Sequence, residues 1–412
     1  MIAVLLMAAR NLRRYTRRTL LIVSLIAIGV TFVQVYIASS SSYKGLIISQ
    51  ITDSMLGYAQ IHRKGYLTSI ENVPLNLNLG ARDITRIRAI LDGIPGLEAY
   101  SMRIRFGAML SNYAETTTIR VYAVKPEDEF RTVPLLAGRI STGEKALKPG
   151  MMIVPELLAK GMKLKVGDPI VLVATNRDGS VNGKQFTVSG IVETAPGPGG
   201  RDGYIHINDA VEVLRMNGRE FSEIALRLSD FNALPRYFKD LSSALAKEAD
   251  KAGRPKYEVH RWESLTPFSA IVKMVDLMTI FVKMMLISIV LISVMNAMIM
   301  SVYERTRETG TLAAIGTMPN TILTIFMSEG LLLGIAGVVM GNTISFAFIQ
   351  AIRLMKFSFA FGMKEGFILA PSMSFVDVLY VSVIVIIVSI LGSMQPAWRA
   401  SRLEPIKALR SV

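Results

Sequence analysis

The residues in this chain whose types and spacing could do chemistry form one short run between two long apolar stretches. In "MIMSVYERTRETGTLAAIGTMPN", residues 298–320, four charges stand together as Glu304, Arg305, Arg307 and Glu308. On a helix, Glu304, Arg307 and Glu308 lie within one turn of each other and can pair. Gly310 weakens the helix and is expected to bend it. "TLAAI" then continues as a short helix with Leu312 and Ile315 on one side, and Gly316 suits its C-terminal position. Thr317 is expected to cap the next helix, with Pro319 in its first turn. The chemistry this allows is recognition. Charges beside a small apolar face on a compact knuckle suit docking into another protein's groove. A solvated loop between two spans needs only a few polar residues, and here the acids cancel the bases.

Glu329 is the second candidate, about two turns into the segment that follows. A carboxylate within a membrane is functional by default, or satisfied by a partner, so a structural and a gating role are both open. Gly330 with Gly334, and Gly337 with Gly341, are two G-x-x-x-G pairs that let helices approach closely, within the chain or in a dimer. Met274, Met278, Phe281 and Met285 recur at i, i+4, i+7 and i+11. Such a stripe accepts variable acyl or apolar ligands, or simply packs. The chain has no cysteine, which removes disulfides and thiolate sites. His62, His206 and His260 lie far apart, so no metal site is expected. "SVNGKQ" is not a phosphate-binding loop: Gly179 and Gly183 have too short a spacing, and Gln185 replaces the hydroxyl that would meet magnesium. The expectation is a non-catalytic chain with no cofactor of its own.

Composition says which elements must hold these residues. The chain has 412 residues, 51% hydrophobic and 19% charged, with mean hydropathy +0.41. The apolar excess is concentrated in the charge-free runs 19–38, 284–303, 330–352 and 378–398. Each is about 20 residues, the length of helix that crosses a hydrocarbon layer of roughly 30 Å. One central charge would add roughly 2.5–3.5 kcal/mol to insertion, so its absence from all four marks four spans. The first run is too long for a cleaved signal. The polar stretch between the first two spans is long enough for its own core. The expected fold is therefore membrane α-helical, four transmembrane helices with a large α+β extracytoplasmic domain inserted between helices 1 and 2.

The expected division is a cytoplasmic interfacial helix (1–18), the first span (19–38), the domain (39–266), and a long stalk with the second span (267–303). The knuckle (304–317), the third span (318–352), an outer loop (353–377), the fourth span (378–398) and a cytoplasmic tail (399–412) follow. Residues 2–17 read as an amphipathic helix lying in the membrane interface. Thr266 as cap and Pro267 at the first helical position would start a rod unbroken to Gly310. In the domain, strands are expected at 58–66, 97–110, 116–124, 169–175 and 184–194. Helices are expected in 81–96, ending in a Gly/Pro-rich turn, in 154–168 as a short helix before a Gly167-Asp168 turn, and at about 208–216 and 231–251, with a loop at 197–203.

Net charge is +14. Residues 39–266 hold 30 basic and 25 acidic residues, so most of the excess lies in and beside the spans. That is the distribution of a membrane protein facing lipid headgroups, not of a nucleic-acid binder. Arg10, Arg13, Arg14, Arg17 and Arg18 precede the first span without an acid, and Arg399, Arg402, Lys407 and Arg410 follow the last against one Glu404. The positive-inside rule places both ends and the knuckle in the cytoplasm, with the domain outside.

"YERTRETGTLAAIGTMPNTILTIFMSEGLLLGIAGVVMG" resembles the signature of the MacB/FtsX-type ABC transporter permeases. The tail "QPAWRASRLEPIKALR" is similar to their closing motif, with Pro396, Ala400, Pro405, Ala408 and Leu409 in the familiar spacing. "GYAQIHRKGY" and "AKGMKLKVGDPIVL" resemble their external domain. The resemblance covers nearly the whole chain. It implies a multi-pass permease of the bacterial inner membrane, completed by a second copy or a sister permease. It implies work with a separate homodimeric ATPase that holds the ATP and magnesium. In that family the knuckle is the coupling helix seated on the ATPase, and Glu304, Arg305, Arg307, Glu308, Gly310, Leu312, Ile315 and Gly316 match it. Length and order are similar to the lipoprotein-releasing LolC/LolE kind, which implies a lipoprotein or similar amphiphile as cargo and a periplasmic carrier as partner. The same machine could instead export peptides or drugs, as MacB does, or govern cell-wall hydrolases, as FtsX does. A membrane-anchored receptor without an ATPase is the reading from a different class.

Overall fold

The computed structural model describes residues 2–68, 74–194, 198–216, 220–249, 253–265, 268–355, 358–361, 364–368 and 370–403. Two compact units emerge. One comprises Met1–Gly45, Lys273–Phe359 and Ile368–Val412, and the other Leu46–Val272 with Ala360–Phe367. The chain opens with α1 (Ile2–Arg14), which Tyr15 separates from the long α2 (Thr16–Ile51). A π turn, Thr52–Leu56, follows. The helix therefore runs beyond the 19–38 stretch expected from hydropathy. Hydropathy marks where a helix meets lipid and says nothing of where its hydrogen bonding stops. The serine-rich continuation stays helical because it is clipped to a neighbouring helix: Ser40 lies 2.7 Å from the Thr279 hydroxyl, and Lys44 donates to Asp276 at 2.7 Å.

The second unit is α+β. In chain order it holds β1 (Ala59–Arg63), α3 (Ala81–Asp92), β2 (Leu97–Ser111), β3 (Thr116–Val124), α4 (Pro126–Thr132), α5 (Leu135–Arg139), β4 (Ile140–Gly143) and β5 (Met151–Pro155). Then come α6 (Glu156–Gly161), β6 (Pro169–Thr175), β7 (Val181–Val192), β8 (Asp202–His206), α7 (Ile207–Val213), β9 (Glu223–Leu228), α8 (Leu234–Leu245), β10 (Tyr257–Arg261) and α9 (Trp262–Leu265). The strands form one sheet in the order β10-β1-β9-β2-β3-β8-β5-β7-β4, with β6 bridging β2 and β7. β3 runs parallel to β8 and β5 parallel to β7, and the other pairs are antiparallel.

Local chemistry explains the elements. In β3 the buried Ile119 and Val121 alternate with outward residues, and beyond Val121 both faces are covered. On α3, Ile84, Ile87 and Leu91 are buried along one face, and Asp83 accepts from the Gly80 amide at 3.0 Å. The expected loop at 197–203 is instead a 3-10 turn, Pro198–Arg201, feeding directly into β8. The glycines obscured that strand. Gly203 is there because a β-carbon would stand 2.8 Å from Met152 and 2.9 Å from Ile119.

Charge is buried at the centre of this unit. Arg103 bonds Glu129 at 2.8 Å and Glu223 at 3.1 Å, and Arg105 bonds Glu223 at 3.2 Å, all away from water. Three ion pairs thus tie α4, β2 and β9 together. The fully buried His62 of β1 places Nε2 3.7 Å from the same Glu223. Burial pushes the His62 ring below its ordinary value, against the pull of the carboxylate. Burial alone would raise Glu223, but Arg105, then His62 and Arg103, hold it far below the usual carboxylate range.

The first unit resumes with α10 (Phe268–Glu304), α11 (Thr306–Ala314) and α12 (Pro319–Met355). The helix α13 (Phe375–Ser401) completes it, after a hairpin of β11 (Ser358–Phe361) and β12 (Lys364–Ile368) most of which is grouped with the second unit. The helices Thr16–Leu56, Ser269–Glu304, Pro319–Met355 and Phe375–Ser401 are long and apolar enough to cross a membrane. The rod expected to reach Gly310 stops at Glu304, with 37 residues or about 56 Å of helix. The expected capping residues Thr266 and Pro267, and Pro405, Ala408 and Leu409 of the tail motif, lie outside the described residues.

His62 and Glu223 both carry depressed values in the folded state. The unfolded chain therefore binds more protons, and stability falls as pH falls. For His62 the loss starts near its unfolded value of 6.5. The Glu223 contribution, complete above the unfolded carboxylate value, is lost further down as pH falls towards its folded value. The unfolding free energy of this unit should fall between about pH 7.5 and 5.5, by up to about 1.4 kcal/mol per unit of pH, and its thermal midpoint should drop with it. His62→Phe should flatten that slope. A native midpoint constant across the window, followed by calorimetry, would contradict the account.

Candidate functional site

The break between α10 and α11 falls at Arg305, whose backbone leaves the helix at φ −111° and ψ 17°. Its side chain turns inward instead of facing a partner protein. Nη1 donates to Oε1 of Glu329 at 2.7 Å, and Nε donates to Oε2 of Glu308 at 3.2 Å. The guanidinium also lies over the Phe326 ring, 5.4 Å from its centroid. The Glu329 side chain is 1% exposed, and the same Oε1 accepts from Asn11 Nδ2 at 2.9 Å. One carboxylate thereby pins α1, the start of α11 and α12 to a single point. The hinge expected at Gly310 is not there: Gly310 is buried inside α11. The bend follows the arginine because its charge must reach Glu329, and the helix ends where that reach begins.

The turn out of α11 is closed by backbone bonding. Gly316 has φ +88°, its amide donates to Ala313 at 3.1 Å, and the Thr317 amide donates to Leu312 at 3.0 Å. This is the left-handed C-terminal cap that glycine permits, as expected at Gly316. Met318, not Thr317, occupies the cap position of α12, and Pro319 is the first helical residue.

Glu304, Arg307 and Glu308 do not pair with one another as expected, and among the four charges of the knot the ion pair is Arg305–Glu308. Glu304 takes Arg18 at 3.0 Å. Glu308 takes Arg305, Arg14 at 3.3 Å and the Tyr15 hydroxyl at 3.2 Å. Arg307 is exposed. With it on the outer side of the knuckle stand Leu312, Ile315 at 74% and Met318 at 72% exposure. The surface presented is Arg307 and an apolar tip, flanked by the partly exposed, ion-paired Glu304 and Glu308. Asn11, Tyr15, Arg14 and Arg18 were missed as site residues, because arginines before a span read only as topology signals.

The glycine pairs face two different helices of the same chain. A β-carbon on Gly330 would stand 2.6 Å from Cβ of Ser393, and one on Gly334 2.8 Å from Cβ of Ser389, both on α13. On Gly337 it would collide with Ile26, and on Gly341 it would stand 2.7 Å from Cβ of Val30, both on α2. The pairs thus make packing within one chain, not the face of a dimer. Above them Asn342 accepts from Gln34 at 3.4 Å and donates to Ser382 at 3.0 Å. Met274, Met278, Phe281 and Met285 are 52–69% exposed, on the side of α10 away from the packed Val290, Val294 and Met298. They form the expected stripe, and it is not spent on packing within the chain.

Residues 19–243 match the family model for the MacB-like periplasmic core domain, and residues 278–405 that for the FtsX-like permease C-terminal region. The chain belongs to the MacB/FtsX-type ABC transporter permeases. It is 24% identical to a lipoprotein-releasing system transmembrane protein LolC of Xylella fastidiosa over 70% of this chain and 71% of that one. The LolC of Neisseria meningitidis serogroup B is 23% identical over 95% and 94%. A macrolide export ATP-binding/permease protein MacB of Hahella chejuensis is 27% identical over 95% of this chain and 57% of that one. The periplasmic region of MacB from Actinobacillus actinomycetemcomitans aligns at 12% identity and TM-score 0.36 over 50% of this chain and 89% of that one. For this permease, the family match lies across both the buried pin and the knuckle.

Removing one partner of a buried pair leaves the other charge uncompensated, at a cost of about 3–5 kcal/mol. Arg305→Met and Glu329→Leu should each lower the thermal midpoint of the permease in detergent. The double variant should recover most of the loss, and additive losses in that cycle would refute the pin. Gly334→Leu should destabilise each chain, whereas Gly334→Ala should cost less because only a methyl must fit beside Ser389. A Gly334→Leu protein that is monomeric yet fully stable would reverse the assignment of this face.

Proposed function

We propose that this permease carries force from a separate ATPase through the membrane, with the knuckle α11 as the seat of that ATPase. The supporting observation is the pinned knuckle. It is short, anchored at Arg305, closed at Gly316, and offers Arg307, Leu312, Ile315 and Met318 outward. An apolar tip fixed at both ends is pre-organised for docking, which lowers the ordering cost of association. Both termini and the knuckle lie in the cytoplasm and the MacB-like domain in the periplasm, consistent with the arginine-rich flanks. ATP and magnesium are held by the partner.

The work done is release or transport of lipoproteins or similar amphiphiles from the inner membrane. The LolC relatives support this reading, and the MacB relative supports efflux as the alternative. The stripe of Met274, Met278, Phe281 and Met285 also supports release, as a flexible apolar surface suited to acyl chains of varied shape. α10, unbroken from Phe268 to Glu304, is the covalent path from knuckle to domain.

The test is co-purification of the full chain with its cognate ATPase. Ile315→Asp and Arg307→Glu should each weaken the complex by at least about tenfold and abolish stimulated ATP hydrolysis, as for central residues of an interface. Leu354→Asp, at the far end of α12, should leave association intact. Undiminished association in both knuckle variants would remove the knuckle as the seat.

A further inference from the structure

Pairing with the knuckle uses up Arg14 and Arg18 but leaves Arg13 and Arg17. Both are exposed and have no acidic partner among the described residues. They are four positions apart, on either side of the turn at Tyr15. Both rim a groove of about 600 Å³ formed by α1, the start of α2 and Leu332 of α12. Its walls are largely apolar, with Leu12, Leu20 and Val23 contributing. The groove lies where the arginines give way to the charge-free run 19–38, which is the depth of a membrane interface.

We propose that this groove binds one anionic phospholipid, with its phosphate on Arg13 and Arg17 and an acyl chain along the apolar walls. A wholly apolar occupant would leave two guanidinium groups unused, and a soluble anion would leave the walls wet. An anionic amphiphile meets both. Arginine presents its donors as a fork that matches phosphate oxygens, and basic clusters beside a span recruit anionic lipid from the same leaflet. The lipid would seat α1, and through Asn11 it would support the carboxylate that holds Arg305. Only the naming of the leaflet as cytoplasmic rests on the topology proposed above; the site itself does not require the ATPase.

The full-length chain in mild detergent, titrated with dioleoyl phosphatidylglycerol and read by native mass spectrometry, tests the site. One phosphatidylglycerol should be retained in preference to dioleoyl phosphatidylcholine. Arg13→Gln/Arg17→Gln should weaken that retention by at least about tenfold. Arg10→Gln/Arg399→Gln removes the same charge outside the groove and should change it little. Equal loss in both double variants would show diffuse attraction to the basic surface and overturn the site, as would no loss in the first. Should Arg13→Gln/Arg17→Gln fail to fold, the native chain still decides. Glycerophosphoglycerol, which has the head but no acyl chains, must not displace the lipid at equal concentration, and displacement would refute the groove's part. ATPase association is read on the same preparations. For the native chain, lipid retained without ATPase counts against the function above, and ATPase retained without lipid counts against this site.

Discussion

A guanidinium and a carboxylate closed off from water organise the membrane unit. Arg305 and Glu329 meet at 2.7 Å with 8% and 1% of their side chains exposed. Neither charge is tolerable there alone, since burying an unpaired ion costs several kcal/mol. The pair therefore fixes where α10 ends, how α11 leaves it, and which turn of α12 faces the knuckle. Asn11 on the same oxygen adds α1 to the constraint. Glu308, bonded to the far side of the same guanidinium, then draws in Arg14 and Tyr15. The N-terminal arginines thus do more than set topology.

Around that point, α12 acts as the centre of the bundle. In lipid, apolar side chains gain little from one another over acyl tails, so close backbone approach and hydrogen bonding must hold helices together. The four glycines of α12 supply the approach on two faces, Ser389 and Ser393 of α13 on one and Ile26 and Val30 of α2 on the other. Asn342 supplies the hydrogen bonds, joining Gln34 to Ser382. α10 packs through Gly29 against Val290 and Gly392 against Leu291 and Val294, and is clipped to α2 by Ser40–Thr279, Lys44–Asp276 and Arg18–Glu304. The helix that carries the methionine stripe is still the one left most uncovered.

The sequence made the four apolar helices legible because lipid imposes one rule, an uncharged run of fixed length. The domain's α+β character and several of its strands were legible through alternation, as in "TTTIRVYAV". Strands such as β8, which begins beside a run of glycines, were not, because their burial is decided by neighbours distant in the chain. The cap at Gly316 was legible because a positive φ favours glycine. The hinge was misplaced to Gly310 because helix propensity is local, whereas the break at Arg305 is caused by a partner 24 positions away. The same distance effect hid Asn11, whose bond to Glu329 spans 318 positions. Glu329 was recognised as exceptional from its membrane setting alone, but only the fold shows that its partner comes from the knuckle.

Where the charges go decides what the knuckle can present. Three of its four charged residues are engaged by partners within the chain, so the unpaired part of the outward surface is Arg307 with the apolar Leu312, Ile315 and Met318. One exposed apolar side chain needs no explanation, but several gathered on a rigid tip mark a contact surface. The tip cannot yield by swinging about Gly310, because that residue is buried, and it cannot unwind at its end, because the Gly316 turn is hydrogen-bonded shut. Both ends of α11 continue at once into long helices. A load applied at Ile315 must therefore be delivered to α10 and α12 together, with the buried Arg305–Glu329 pair keeping the two in register. A flexible loop with the same exposed residues could bind a partner equally well, but it would absorb a displacement that a knuckle fixed at both ends would pass on.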